Sequence, residues 1–165
     1  MYYLNIFFIY SFIGYVLEYF ICNLFGRVYN SGFIYGPLTP VYGIGMIFII
    51  FNHKLLNKTI INKPTKIIFH FFLNMIVLTT LEFIAGNLIY HLTGDIYWNY
   101  SDLKYNLGYF ISLEVALIWG VASTLVFYLF NPIINKISKI IPKYLTIILT
   151  ALYSIDIVIS LILKL

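Results

Sequence analysis

Leu17-Glu18-Tyr19, with Asn23-Leu24 after it, recurs 64 residues later as Leu81-Glu82-Phe83 with Asn87-Leu88. In both copies a glutamate and an asparagine lie inside a long apolar run. Each copy is followed by an aromatic and polar loop, and then by a second apolar run that contains Val41-Tyr42-Gly43 or Ile118-Trp119-Gly120. This order predicts a two-helix unit that occurs twice, as in membrane carriers with internal repeats.

The amino-acid composition excludes an ordinary soluble domain. Of the 165 residues, 62% are hydrophobic, 20% are aromatic and only 10% are charged, which is too little charge to cover a surface in water. A helix that spans a lipid bilayer needs about 20 mostly apolar residues. Four uninterrupted stretches meet this requirement, namely residues 3–25, 67–90, 109–130 and 144–163.

A fifth apolar stretch, residues 33–51, contains Gly36, Pro37 and Pro40. Because proline opposes a regular helix, we expect an irregular start to this helix. The sequence therefore predicts an all-α polytopic bundle of about five transmembrane helices in a single domain, residues 1–165. Its parts are a first repeat at about 3–52, a second repeat at about 67–131 and a C-terminal helix at about 144–163.

The lysines indicate the orientation of the chain in the membrane. They concentrate in two expected loops, one after the second span and one after the fourth, with Lys54, Lys58, Lys63 and Lys66 in the first and Lys136, Lys139 and Lys143 in the second. The positive-inside rule places both loops and the N-terminus in the cytoplasm and the C-terminus outside. The net charge of +4 is therefore a topology signal, and we expect no nucleic-acid partner.

The two repeated glutamates are the strongest candidates for a site. With a rise of about 1.5 Å per residue, both lie roughly 22 Å above the inner ends of their helices, in the outer half of the membrane. Ionisable residues at such depth are functional hypotheses by default. We expect Glu18 and Glu82 to form one wall of a pocket that opens outward, with Arg27 as the nearest cation. In the alternative, the glutamates only hold helices together.

Further residues are predicted to bind substrate in the same pocket, namely Asn23, Asn87, Tyr42, Trp119, Trp98 and Glu114. Asp156 lies in the last span, where it could join the pocket or bond Tyr153 and Ser160 one turn away, and we favour the structural role. His53, His70 and His91 do not have the spacing of metal ligands. Because the chain also lacks a phosphate-binding Gly-x-x-x-x-Gly-Lys loop, we expect no cofactor.

Several segments resemble the CmpB-like, or type IV, family of bacterial ABC transporter permeases. They include residues 11–18, the run Gly36-Pro37-Leu38-Thr39-Pro40-Val41-Tyr42-Gly43, Leu81-Glu82-Phe83, residues 98–101 and Trp119-Gly120. The resemblance implies a multi-pass protein of the bacterial inner membrane with a role in transport. Its partners would be the lipid bilayer, a separate ATPase subunit and, in one arrangement, a second copy of the chain.

Three functional hypotheses follow, and the sequence leaves them open. In the leading one, a permease-like protein binds a small solute or cation in the outward-facing carboxylate pocket. The second is a membrane-embedded enzyme for a lipid or lipid-linked substrate, with Arg27 holding phosphate and Glu18 or Glu82 as general base. This chemistry lacks a recognisable nucleophile, so we lean against an enzyme. The third is a non-catalytic accessory subunit.

Overall fold

The protein is helical over most of its length, in agreement with the predicted all-α class. The structure is a computed structural model and describes residues 1–24, 26 and 33–164. Its helices are α1 (Tyr2–Leu24), α2 (Pro40–Asn57), α3 (Lys63–Thr93), α4 (Leu113–Leu125), α5 (Asn131–Ile140) and α6 (Lys143–Lys164). Two short antiparallel strands, β1 (Asn106–Leu107) and β2 (Ile111–Ser112), pair Asn106 with Ser112 and Leu107 with Ile111.

Within the described residues, four helices are long and apolar enough to cross a membrane. They are Tyr2–Leu24, Lys63–Thr93, Leu113–Ile140 and Lys143–Lys164. Only 11% to 33% of the residues in their most apolar windows are buried within the protein, so most of their apolar side chains point outward. Exposed apolar faces of this extent are favourable in the hydrocarbon interior of a membrane and not in water. The prediction of a multi-pass membrane protein is confirmed to this extent.

The boundaries of the fourth helix differ from the prediction of residues 109–130. Residues 109–112 belong instead to the β hairpin, and Ser112 caps α4 by accepting the N–H of Val115 at 3.2 Å. At the other end the helix continues through a π-helical turn, Val126–Phe130, into α5. Pro132 lacks a backbone N–H, and such a residue loosens the preceding turn of a helix.

The lysine loops are also shorter than predicted. Lys136 and Lys139 lie in α5 and Lys143 begins α6, so they are helical residues and not members of a loop. Lys54 lies in the last turns of α2, whereas Lys63 and Lys66 lie in the first turn of α3. Helix α3 starts here because Asn62 caps it by accepting the N–H of Thr65 at 3.0 Å.

The chain divides into two compact units. The first unit comprises Met1–Ile44 and Ile134–Leu165, and the second comprises Gly45–Ile133. In the first unit, a buried Asn5 connects three helices. Its side chain donates to the carbonyl of Ser138 at 2.8 Å and accepts from the hydroxyl of Thr146 at 2.6 Å. Around it, Phe7 and Phe8 of α1 pack against the ring of Tyr153 in α6.

Residues 33–39 precede α2 without helical structure. The backbone N–H of Thr39 donates to the carbonyl of Ser11 in α1 at 2.9 Å, so this segment is fixed against the middle of α1. Helix α2 then begins at Pro40, a position that suits proline because the first N–H groups of a helix have no intrahelical acceptor.

In the second unit, α3 and α4 pack closely along their lengths. Gly120 of α4 lies against the ring of Phe71, where an added Cβ would be 2.6 Å from a ring carbon. Gly86 of α3 lies in the same way against the ring of Phe110, where an added Cβ would be 2.5 Å from a ring carbon. Small residues at helix contacts allow this approach in membrane proteins. A buried bond between the amides of Asn52 and Asn74, 2.9 Å long, joins α2 to α3.

We expect Gly43→Ala to destabilise the protein. A Cβ at residue 43 would lie 2.5 Å from the carbonyl oxygen of Phe7 and 2.7 Å from a carbon of its ring, and backbone cannot move aside cheaply. Overpacking of this kind costs about 1–3 kcal/mol, which should lower the Tm of the detergent-solubilised protein by several degrees. Gly45→Ala is the matched control on the same helix, because its Cβ meets only the end of the Leu78 side chain. Equal melting of both variants would contradict this account.

Candidate functional site

Glu82 is a buried carboxylate held by two aromatic side chains. It lies in the second half of α3 and is only 7% exposed. One carboxylate oxygen accepts from the hydroxyl of Tyr100 at 2.7 Å, and the other accepts from the indole N–H of Trp119 in α4 at 2.9 Å. These bonds replace water around a group whose unsatisfied burial would be costly. Glu82 thereby joins α3 to α4 and to the loop before β1.

Glu18 has a comparable environment in the first unit. It is half-buried in α1, where the hydroxyl of Thr39 lies 3.5 Å from one carboxylate oxygen. The side chain of Tyr42, near the start of α2, is a second hydrogen-bond partner of this carboxylate. The ring of Tyr42 lies directly over Gly14 of α1, so that the absence of a side chain at residue 14 makes room for the ring.

The two glutamates share one local pattern. In each unit, an aromatic residue followed by glycine supplies a side-chain donor to the glutamate, as Tyr42-Gly43 does for Glu18 and Trp119-Gly120 for Glu82. Each of these glycines packs against the phenylalanine that precedes the glutamate by 11 positions, Phe7 for Gly43 and Phe71 for Gly120. Of the three aromatic residues predicted for the site, Tyr42 and Trp119 therefore contact the glutamates. The prediction that both glutamates form one wall stays a prediction.

The other predicted site residues have different surroundings. The amides of Asn23 and Asn87 donate to carbonyls of their own helices, Tyr19 at 3.0 Å and Phe83 at 2.8 Å. The indole N–H of Trp98 donates to the carbonyl of Phe110 at 3.4 Å. Glu114 accepts the backbone N–H of Tyr105 at 3.1 Å and so attaches the hairpin to α4. Arg27 lies outside the described residues.

Asp156 contacts partners that the sequence did not predict. Its two carboxylate oxygens accept the backbone N–H groups of Tyr35, at 3.0 Å, and Gly36, at 2.9 Å. These partners are 120 or more positions away, whereas the expected ones were Tyr153 and Ser160. A Cβ at residue 36 would be 2.9 Å from the carboxylate, so glycine permits this contact. The only signal in the sequence was an acid inside an apolar span.

A largely apolar cavity of about 640 Å³ lies beside this contact in the first unit. Phe8 and Phe12 of α1, Leu152 and Asp156 of α6, and Pro37 of the segment before α2 contribute to its lining. Its size is typical of small-molecule sites, and it combines apolar walls with one carboxylate. Among the residues that the structure describes, no group of three or more His, Cys, Asp or Glu side chains could hold a metal ion.

We expect Tyr100→Phe to lower the stability of the protein, because the substitution removes the hydroxyl that donates to Glu82. An unsatisfied buried acceptor costs about 1–3 kcal/mol, which thermal unfolding followed by tryptophan fluorescence can detect. Tyr105→Phe is the matched control in the same loop, since the side chain of Tyr105 is 56% exposed. If both variants melt like the wild type, the phenol of Tyr100 does not support the buried carboxylate.

Comparison with known proteins identifies the family to which these features belong. No curated protein and no solved structure matches the chain. One family matches residues 5–163, which is almost the whole sequence, and its description is "Putative ABC-transporter type IV". The match includes both glutamates, both aromatic-glycine pairs and Asp156. The chain is therefore a member of this ABC-transporter type IV family.

Proposed function

We propose that the chain is the permease-like membrane subunit of an ABC-type transport system and binds a small solute or cation at its intramembrane carboxylates. The observation that carries this proposal is the chemistry around Glu18 and Glu82. Thr39, Tyr42, Tyr100 and Trp119 are all neutral donors. A carboxylate that lies within an apolar helix among such polar side chains is a candidate for binding a solute or cation.

Energy for transport would come from a separate ATPase. The chain has no phosphate-binding Gly-x-x-x-x-Gly-Lys loop of its own, and membership in an ABC-transporter family supports such a partner. The enzyme hypothesis has no comparable support. We therefore place the chain in the bacterial inner membrane, as a subunit that provides the solute site but not the nucleotide site.

We further propose five membrane crossings, with α2 as the fifth. Helix α2 has 18 residues and a length of about 27 Å at 1.5 Å per residue, close to the hydrocarbon thickness of about 30 Å. Its first part is apolar, and its charged residue, Lys54, lies near its end. Five crossings put the N-terminus and the lysine-rich helix ends in the cytoplasm, and the loop with Tyr100 outside.

An accessory subunit is the second candidate, and one observation favours it. Both carboxylate oxygens of Glu82 already accept hydrogen bonds, and the side chain is 7% exposed. A buried group with these two bonds is suited to connect α3 with α4 and with the loop before β1. If the chain is a transport subunit, removal of the carboxylate charge should reduce ligand binding. If it is an accessory subunit, the same change should reduce only stability.

We expect Glu18→Gln and Glu82→Gln to reduce solute binding and flux in proteoliposomes by about tenfold or more, because a lost charge-assisted bond is worth roughly 1.5–3 kcal/mol. Glutamine keeps the size of glutamate but removes its charge. The assay would use a panel of solutes and cations at several pH values. Asp95→Asn is the control, since it removes one negative charge from an exposed loop residue.

Thermal unfolding of the same variants separates the two candidates. If both glutamine variants keep full binding and flux and lose only Tm, the transport pocket is wrong and the accessory role is favoured. If flux falls while Tm is unchanged, the carboxylates act on the solute.

Thiol labelling checks the five-crossing topology. In a Cys22→Ala background, Ser101→Cys should react with an impermeant maleimide added to intact cells, because the loop with Ser101 is proposed to face outward. Lys58→Cys, in the turn after α2, should react only after permeabilisation. Both residues are exposed, so access depends on the side of the membrane. The reverse pattern would rule out the proposed orientation.

A further inference from the structure

The second unit contains a cavity with a polar, basic lining, in contrast to the largely apolar cavity of the first unit. Its volume is about 230 Å³. It is formed where α2 ends, α3 begins and the π-helical turn passes, and its lining residues are His53, Leu56, Asn57, Lys63, Lys66 and Tyr128. Five of these six side chains carry a polar or charged group. This cavity belongs to neither the glutamate sites nor the contact of Asp156.

The charge of this cavity is positive and not compensated by its own lining. Lys63 and Lys66 supply two ammonium groups, and none of the lining residues is acidic. The sequence contains no aspartate or glutamate between Glu18 and Glu82, so the helix ends that form the cavity bring no carboxylate of their own. Two ammonium groups in a shared concavity attract an anion.

The remaining lining residues are suited to hydrogen bonding. The amide of Asn57 is bonded to the imidazole of His53 at 2.8 Å, which fixes both side chains at the wall. The two lysines therefore supply the charge of the cavity, while Asn57 and Tyr128 contribute neutral polar groups.

The π-helical turn is a feature of this cavity that is independent of its charge. Such turns are rare and occur frequently at functional sites. This one carries Tyr128 into the lining, and the rings of His53 and Tyr128 are 5.8 Å apart. Buried Leu56 provides an apolar part of the wall. The cavity thus combines cations, a phenol and an amide.

We propose that this cavity binds a phosphate group, carried either by the headgroup of an anionic lipid or by a soluble phosphate ester. Lysine is a general phosphate ligand, and a phosphate offers several oxygens to ammonium, amide and phenol donors. Basic pockets between transmembrane helices on the cytoplasmic side are typical sites of anionic headgroups. The proposal does not depend on the transport function, because it concerns other residues and another ligand.

The test measures the thermal stability of the protein in nanodiscs of dioleoylphosphatidylcholine, with and without dioleoylphosphatidylglycerol. A parallel series without the anionic lipid compares potassium phosphate with potassium chloride at equal ionic strength. A ligand that binds only the folded state raises Tm in a saturable way. A rise with the anionic lipid alone identifies a lipid headgroup as the source, and a rise with phosphate alone identifies a soluble phosphate.

The double variant Lys63→Gln/Lys66→Gln should weaken the apparent affinity by about tenfold or more. The matched control is Lys58→Gln, which removes an exposed lysine that does not line the cavity. Lys63→Arg/Lys66→Arg should keep the rise in Tm, since it keeps the charge. If the glutamine variant is not recovered folded, Asn57→Ala must weaken binding instead.

Two outcomes would overturn the proposal. In the first, the wild-type protein shows no saturable rise in Tm with either probe. In the second, Lys58→Gln loses the rise as fully as the double variant does, which means that the effect is general surface charge. Either outcome leaves the proposal on Glu18 and Glu82 untouched.

Discussion

A carboxylate inside an apolar helix must find hydrogen-bond donors on neighbouring segments, and this requirement organises the described structure. Glu82 obtains a phenol from the loop before β1 and an indole from α4. Glu18 uses Thr39, just before α2, and Asp156 takes two backbone N–H groups from residues 35 and 36. The non-helical segments are thus attached at these acids, because burial without donors would cost several kcal/mol.

Glycine makes these contacts geometrically possible. The indole of Trp119 belongs to the same helix as Gly120, and Gly120 sits against Phe71 with no room for a Cβ. Tyr42 and Gly43 have the same order along α2, with Phe7 as the residue in contact. The glycine lets the two helix backbones come close together, and the aromatic residue beside it then reaches the glutamate. Both features are therefore needed for this hydrogen bond.

Much of this arrangement could be predicted from the sequence. The remaining parts could not be predicted, for physical reasons. The lengths of the apolar stretches predicted the four membrane helices. Tyr42 and Trp119 were recognised from their repeated position beside glycine. The donors Tyr100 and Thr39 come from irregular segments, where no period indicates which side chain turns inward. The partners of Asp156 are backbone groups, which leave no mark in the sequence. Lys136 and Lys139 were misplaced because charge ends an apolar span but does not end a helix.

The separation of charge along α3 bears on what Glu82 can do. Sixteen residues separate Lys66 from Glu82, which is roughly 24 Å at 1.5 Å per residue. An ion pair needs a separation of a few ångströms, so the lysines that line the basic cavity cannot neutralise this carboxylate. The donors described for it, the phenol of Tyr100 and the indole of Trp119, are neutral, so hydrogen bonds and not the lysines of α3 stabilise this carboxylate within the helix.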